Sequence, residues 1–315
     1  LEQYINTKVR FVDDCVGEKV EAALASLPEG GVLLLENTRF YKGEEKNDPS
    51  LAEKMAKFGD IFVNDAFGTA HRAHASNVGV SSHLLAVAGL LMEKEIDYLA
   101  TALESPKRPF VAILGGAKVS DKIAVIDALI DKCDSLLIGG GMANTFFLAK
   151  GTALGKSLIE PDAVETAKKL IERGGSKLVL PVDAVIGDRF ADDAEKKVID
   201  VSAGVPEGWS IYDIGPKTQA LFAGVLDGAK TVVWNGPMGV FEMPNFAAGT
   251  LAVGEALARA TAKGAVTIVG GGDSAAAVEQ LGLAEQITHI STGGGASLEM
   301  LEGQALPGVV ALKDK

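Results

Sequence analysis

A chain of 315 residues, 47% hydrophobic and 23% charged, is long enough for one large or two medium globular domains and too apolar to be disordered. Its 30 Lys and Arg against 42 Asp and Glu leave a net charge of -12, which excludes a general nucleic-acid or anionic-membrane binder. Two distant cysteines, Cys15 and Cys133, argue against a disulfide framework or zinc site, and no apolar run reaches the roughly 18 residues of a membrane helix.

In chain order, the runs "GVLLLEN", "DIFVNDA", "FVAILGG", "DSLLIGG", "KLVLPVDAVI", "TVVWNGP" and "AVTIVGG" are apolar almost throughout. That pattern predicts strands buried on both faces of a parallel sheet. The stretch "HLLAVAGLLM" reads as a buried helix, and "LLMEKEIDYLATALESPKRP" as a helix ending in a Pro-bounded linker. Helix-period segments such as "VSDKIAVIDALIDKC", "DAVETAKKLIERG" and "FAAGTLAVGEALARATAKG" alternate with the later strands. The expected class is therefore α/β with a doubly wound parallel sheet.

Chemistry-bearing residues collect just after strands, where open α/β sheets bind ligands. Arg39 follows the first run, and His71, Arg72 and His74 follow the second. Two arginines at strand ends suit a carboxylate or phosphate. The histidines, three apart with no third ligand, read as polar support for the Arg72 loop. In "LGGAKVSDKI" the four-residue spacing of Lys118 and Lys122 predicts one helical face, near N–H groups where cations oppose the dipole unless an anion binds. A solvated pair tied to Asp121 is the plain alternative.

Three strand–GGG–helix passages follow, at Gly139–Gly141, Gly270–Gly272 and Gly293–Gly295. Glycines there let helix N-termini approach a phosphate. Asp273, directly after the second, reads on its own as an N-cap carboxylate or as a Mg²⁺ ligand. "WNGPMGVFE" sets Asn235 at a strand end with Glu242 beyond it, either a plain turn or groups for ribose and base. No G-x-G-x-x-G occurs, which counts against a dinucleotide-dependent oxidoreductase. "GTALGKS" at 151–157 is one residue short of a P-loop, follows a helix, and reads as a surface loop.

Seven stretches together resemble the phosphoglycerate kinase family: "LENTRFYKGEEKNDP", "VNDAFGTAHRAHAS", "LGGAKVSDKI", "IGGGMANTF", "WNGPMGVFE", "GGGDSAAAVE" and "HISTGGGASLE". They fall in that family's order and spacing across essentially the whole chain. The resemblance implies two doubly wound parallel-sheet (Rossmann-like) domains joined by a helix and hinge that close over the transfer. These are an incomplete 3-phosphoglycerate-binding domain over 1–95 and a Mg²⁺-nucleotide domain over 96–290, with 291–315 returning to the first.

The reaction implied is reversible phosphoryl transfer between 1,3-bisphosphoglycerate and ADP, giving 3-phosphoglycerate and ATP. By resemblance Arg39 and Arg72 bind the acid substrate, and Lys118 and Lys122 contact phosphates, Lys122 at the transferring group. Gly139 and Gly140 wall the adenine pocket, while Asn235, Glu242, Gly271, Gly272 and Ser274 contact nucleotide. Asp273 ligates Mg²⁺, and Gly294 and Gly295 face the transferred phosphate. Ser274 stands where the family often has threonine. The family's opening Asp-Phe-Asn-Val-Pro-type strand end, a further arginine and a His-Leu-Gly-Arg-Pro turn are absent from this sequence. The alternative expectation is thus a catalytically incomplete nucleotide-binding fragment. A cytoplasmic monomer is expected, with a chloroplast stroma the other compartment considered.

Overall fold

The apolar runs do fold as strands, all but one of them parallel, but not all are covered on both sides. The computed structural model describes residues 1–313, and contacts divide the chain into two units. The first comprises Leu1–Lys94 with the described residues from Ala305, and the second Glu95–Gln304. The boundary falls inside a helix, and residues 291–304 group with the second unit, so only the end of the stretch 291–315 groups with the first.

The first unit contains α1 (Glu2–Ile5), β1 (Val9–Val12), α2 (Glu18–Ala25), β2 (Val32–Leu35), α3 (Pro49–Ala56), β3 (Ile61–Asn64) and β4 (Leu85–Ala88). The helix α4 (Leu90–Glu104) follows. "HLLAVAGLLM" is therefore not one helix: Gly89 separates strand β4 from α4. β1 pairs with β2 and β3 with β4, each pair parallel, as two separate two-stranded sheets. Helix α2 covers one face of β1–β2 through Val12, Val20 and Ala23, with Leu33 and Leu35 packed alongside. The other faces leave Phe11, Leu34, Ile61, Val63 and Leu85 exposed, against the expectation of two buried faces. Helix α3 starts where "NDPS" dictates: Asp48 accepts hydrogen bonds from the Ser50 and Leu51 N–H groups, with Pro49 in the first turn.

The second unit holds β5 (Phe110–Leu114), α5 (Ile123–Ile130), β6 (Ser135–Ile138), α6 (Met142–Ala149), α7 (Val164–Gly174) and β7 (Leu178–Val179). Next come β8 (Asp183–Gly187), β9 (Lys196–Asp200), β10 (Ser210–Ile214), α8 (Pro216–Asp227), β11 (Thr231–Asn235) and α9 (Ala248–Ala262). It ends with β12 (Val266–Gly270), α10 (Gly272–Gln280), β13 (His289–Ile290) and α11 (Gly295–Leu301). A six-stranded parallel sheet has the order β13-β12-β11-β5-β6-β7. Chain direction across the sheet reverses between β5 and β11, which makes a doubly wound fold with its switch point there.

Every residue of β5 and β11 is buried. Fully buried side chains such as Phe110 and Ile113 each contribute roughly 1.5–3 kcal/mol relative to exposure. "KLVLPVDAVI" is two strands, not one. Pro181, which cannot donate to a ladder, stands between β7 and β8, and β8 joins a separate antiparallel sheet of order β10-β8-β9. The short helix α12 (Pro307–Val310) belongs to the first unit, where Gly308 N–H donates to Ala70 O at 2.8 Å and Asn64 Nδ2 to Gly308 O at 3.2 Å.

Candidate functional site

At the switch point the loops leaving β5, β6 and β11 interlock through main-chain hydrogen bonds. Gly115 N–H donates to Asn235 O and Gly116 N–H to Pro237 O, each at 2.9 Å, and Gly140 N–H to Met238 O at 3.1 Å. Gly236 has φ +95°, and a Cβ there would lie 2.3 Å from Gly115 O. Gly140 has φ +65°, and its Cβ would lie 2.6 Å from Gly116 N. Only glycine permits so close an approach of backbones. Trp234, fully buried, donates its indole N–H to Gly236 O at 2.7 Å, and Ser274 Oγ accepts from Gly236 N–H at 2.6 Å. Ser274 thus braces the turn.

Lys122 projects into this knot. Its Nζ donates to Asn235 O at 3.0 Å and to Asn235 Oδ1 at 2.5 Å. Burial pushes its pKa down to about 8, against the upward pull of Asp273 and Asp121. Asn235 Nδ2 is buried with no hydrogen-bond partner among the described residues. A partly dehydrated ammonium beside an unused amide donor suits an anionic oxygen. The expected shared helical face of Lys118 and Lys122 is not what forms. Ser120–Lys122 is a 3₁₀ turn, α5 starts only at Ile123, and Lys118 sits in the irregular loop before it, exposed. Lys122 turns inward to Asn235 rather than outward to Asp121.

Asp273 is not an N-cap. The cap of α10 is Gly271, at φ +91°, so Asp273 occupies the first helical turn, exposed, and makes no capping hydrogen bond. It lines a cavity of about 500 Å³ together with Gly116, Gly140 and Glu242. Much of the remaining wall is apolar, including Phe147, Leu158, Ile211 and Val240. Lys118, Lys122, Gly139, Asn235, Gly271, Gly272 and Ser274 do not line it. No group of three His, Cys, Asp or Glu side chains able to hold a metal occurs among the described residues. A Mg²⁺ ion held mainly by nucleotide phosphates needs only one or two protein carboxylates, so Asp273 fits that role without a cage.

Sequence reasoning passed over three residues of this wall. Asp213 on β10 is buried, and its carboxylate accepts from Gly249 N–H at 2.7 Å and Ile214 N–H at 2.9 Å. Burial pushes its pKa up to about 7, although those N–H groups and Lys196 oppose the shift. Its position at the end of "SIYDI", an unmarked strand, is a signal that strand-end acids could have given. Asn144 is fully buried on α6 and donates to Leu158 O at 3.0 Å. Lys156, from "GTALGKS", also lines the cavity; the segment is indeed a loop, but not one remote from the site.

The third glycine turn is held from behind. Glu95 of α4, fully buried, bonds His289 Nε2 at 2.8 Å, and its other oxygen accepts from Thr292 N–H at 2.7 Å and Thr292 Oγ1 at 2.9 Å. Burial would raise the Glu95 pKa, but hydrogen bonds from His289, Ser291 and Thr292 hold it below the usual carboxylate value. Tyr98 stacks on His289 with centroids 4.7 Å apart. Gly294 has φ +49° and caps α11, whose first residue is Gly295; neither lines the cavity.

In the first unit Arg39 lies in the 3₁₀ turn after β2, exposed, 3.9 Å from Glu45. Arg72 is exposed too, and its Nε donates to His71 Nε2 at 3.2 Å. Among the described residues the two arginines share no direct partner, but their loops share Glu44, which the sequence reading missed. That buried carboxylate accepts from Thr38 Oγ1 at 3.1 Å, from Ser76 Oγ and from Ser76 N–H at 3.0 Å, with His74 Nδ1 3.9 Å away. The histidines do act as support for the Arg72 loop.

The chain is similar to known proteins along nearly its whole length. The family model for phosphoglycerate kinase matches residues 1–304. The phosphoglycerate kinase of Chloroflexus aggregans is 59% identical over 98% of this chain and 78% of its own length. The cytosolic enzyme of Triticum aestivum is 57% identical over 100% of this chain and 79% of its own. Among solved structures, phosphoglycerate kinase from Coxiella burnetii superposes with a TM-score of 0.87 at 44% identity, covering 99% of this chain and 78% of that one.

Proposed function

The chain belongs to the phosphoglycerate kinase family, and from that premise we infer how its residues carry the family's reaction, the reversible phosphoryl transfer between 1,3-bisphosphoglycerate and ADP that gives 3-phosphoglycerate and ATP. Such a transfer needs positioning and charge stabilisation rather than a protein nucleophile, because ADP or the acid's own carboxylate supplies the attacking oxygen. The observation that carries the assignment of roles is Lys122, an ammonium already stripped of much of its water and aimed at the switch point. In this reading it steadies the transferring group, with the Asn235 amide beside it.

Lys118 draws the nucleotide phosphates, Gly140 walls the base with Gly139 behind it in the turn, and Glu242 takes the ribose hydroxyls. Gly271 and Gly272 present main-chain N–H groups, and Ser274 acts through the turn it braces. Asp273 holds Mg²⁺, which when bound neutralises phosphate charge. Gly294 and Gly295 face the transferred phosphate. Arg39 and Arg72 clamp 3-phosphoglycerate, their loops pinned by Glu44.

A coupled assay with 1,3-bisphosphoglycerate and Mg-ADP should register ATP formation. Mg-ADP binding without turnover would overturn these catalytic roles. No helix among the described residues is long and apolar enough to cross a membrane. We place the protein in the cytoplasm as a monomer, which light scattering on the purified protein would check for assembly.

A further inference from the structure

Four carboxyl side chains, Asp183, Asp213, Glu242 and Asp273, and a single cation, Lys156, line the cavity of the second unit. Two of the carboxylates are already engaged. Asp183 accepts from the N–H groups of Lys217 and Thr218 at 2.9 and 2.8 Å, and Asp213 from those of Gly249 and Ile214. Lys156 has no hydrogen-bond or ion-pair partner for its ammonium among the described residues.

Its backbone, by contrast, is fixed. Lys156 N–H donates to Trp209 O at 2.8 Å, and Ser157 Oγ accepts from Ile211 N–H at 2.9 Å. Gly155 before it has φ +55°, and a Cβ there would lie 2.5 Å from both Pro206 O and Trp209 O. The ring of Trp209 is in turn capped by Lys197, whose Nζ lies 4.1 Å from its centroid. Lys156 is exposed at the cavity rim, so from this fixed loop its ammonium can reach an acceptor held in the cavity.

The loop also locates which part of a ligand would meet it. Leu158, two residues on, lies over Gly141 of the glycine turn: a Cβ on Gly141 would sit 3.5 Å from Leu158 Cδ2. Leu158 O is bonded to Asn144 of α6. The Lys156 loop therefore belongs with the wall assigned to the base, whereas the phosphate-facing groups Lys122 and Asn235 do not line the cavity at all.

Resting on the assignment of this cavity to the nucleotide, we propose that Lys156 is a base-contacting residue that donates a hydrogen bond to an acceptor nitrogen of the purine. No proton is transferred and the base stays neutral.

The test is calorimetric titration of the full chain with adenosine and with Mg-ADP. Lys156→Met, which keeps the apolar stem, should weaken both ligands by the same factor, about tenfold for one charge-assisted hydrogen bond. Lys156→Arg should restore most of it. Loss confined to Mg-ADP would put the contact at the phosphates and overturn the proposal, as would unchanged binding of both. Failure of the wild-type protein to bind either ligand would instead overturn the assignment of the cavity, and Asp273→Ala checks that assignment separately by weakening Mg-ADP but not adenosine.

Discussion

Two residues of the proposed nucleotide site, Lys122 beside the cavity and Asp273 on its wall, define what the site can sense. Lys122, with a pKa lowered to about 8 by burial, is part-deprotonated in the ligand-free protein near that pH. An anionic phosphate placed beside it raises the pKa, so binding of Mg-ADP at pH 8 should take up protons. Calorimetry in buffers of different ionisation enthalpy reads that uptake directly, and it should vanish in Lys122→Met; no uptake in the wild type would contradict the placement. Asp273→Ala should weaken Mg-ADP binding about tenfold or more while leaving metal-free ADP nearly unchanged. Equal losses would mean that the carboxylate acts on the helix rather than on the ion. Asp273 was legible in the sequence because an acid directly after three glycines is conspicuous. Lys122 was legible as a cation but not in its direction, because the 3₁₀ turn at Ser120–Lys122 redirects its side chain. Asn144 and Asp213 were not legible, since a buried amide and a strand-end acid look ordinary until the cavity between them is known.

At the level of elements, buried carboxylates act as fasteners. Asp213 ties β10 to the start of α9 through Gly249. Its folded pKa, about 7, lies above the unfolded value of 3.8, so its favourable contribution is complete below about pH 4 and is lost as pH rises through 7. Asp213→Asn leaves one N–H facing an amide NH₂, at a cost of roughly 1–3 kcal/mol. It also removes the titration, so the variant's deficit in thermal stability should shrink between pH 5 and pH 7.5; a constant deficit would refute the shift. Glu44 ties the Arg39 turn to the Arg72 loop, and Glu44→Ala should destabilise the first unit by roughly 1–3 kcal/mol in urea titrations. It should also raise KM for the acid substrate more than it lowers kcat.

The sheet of the second unit could be read from its apolar runs because both its faces are packed. Those of the first unit misled, since β1–β4 share the composition but pair only two by two. The break at Pro181 was visible as a proline, yet nothing local announced that the next strand would change sheets.

For the molecule as a whole, the two units differ in how much core they own. Among the described residues, the second has a large cluster running from Val111 through Trp234 to Ile287, while the first has small ones such as that of Val16, Leu51, Ala52 and Ala75. Hydrogen exchange followed by mass spectrometry should therefore find the amides of β5 and β11 protected long after those of β1–β4 have exchanged. Uniform protection would show that the units open together.

The chain contains only two tryptophans, and both stand in structural roles next to the cavity loops. Trp234 holds the Gly236 carbonyl with its indole N–H, and the main-chain carbonyl of Trp209 accepts the Lys156 N–H. The protein thus carries two intrinsic fluorophores, one sealed in the core beneath the Asn235 turn and one partly accessible beside the Lys156 loop. Replacing Trp209 with phenylalanine would leave a single emitter whose colour and lifetime follow the Asn235 turn. Replacing Trp234 would leave one that follows Lys156. Light alone could then separate events at the phosphates from events at the base.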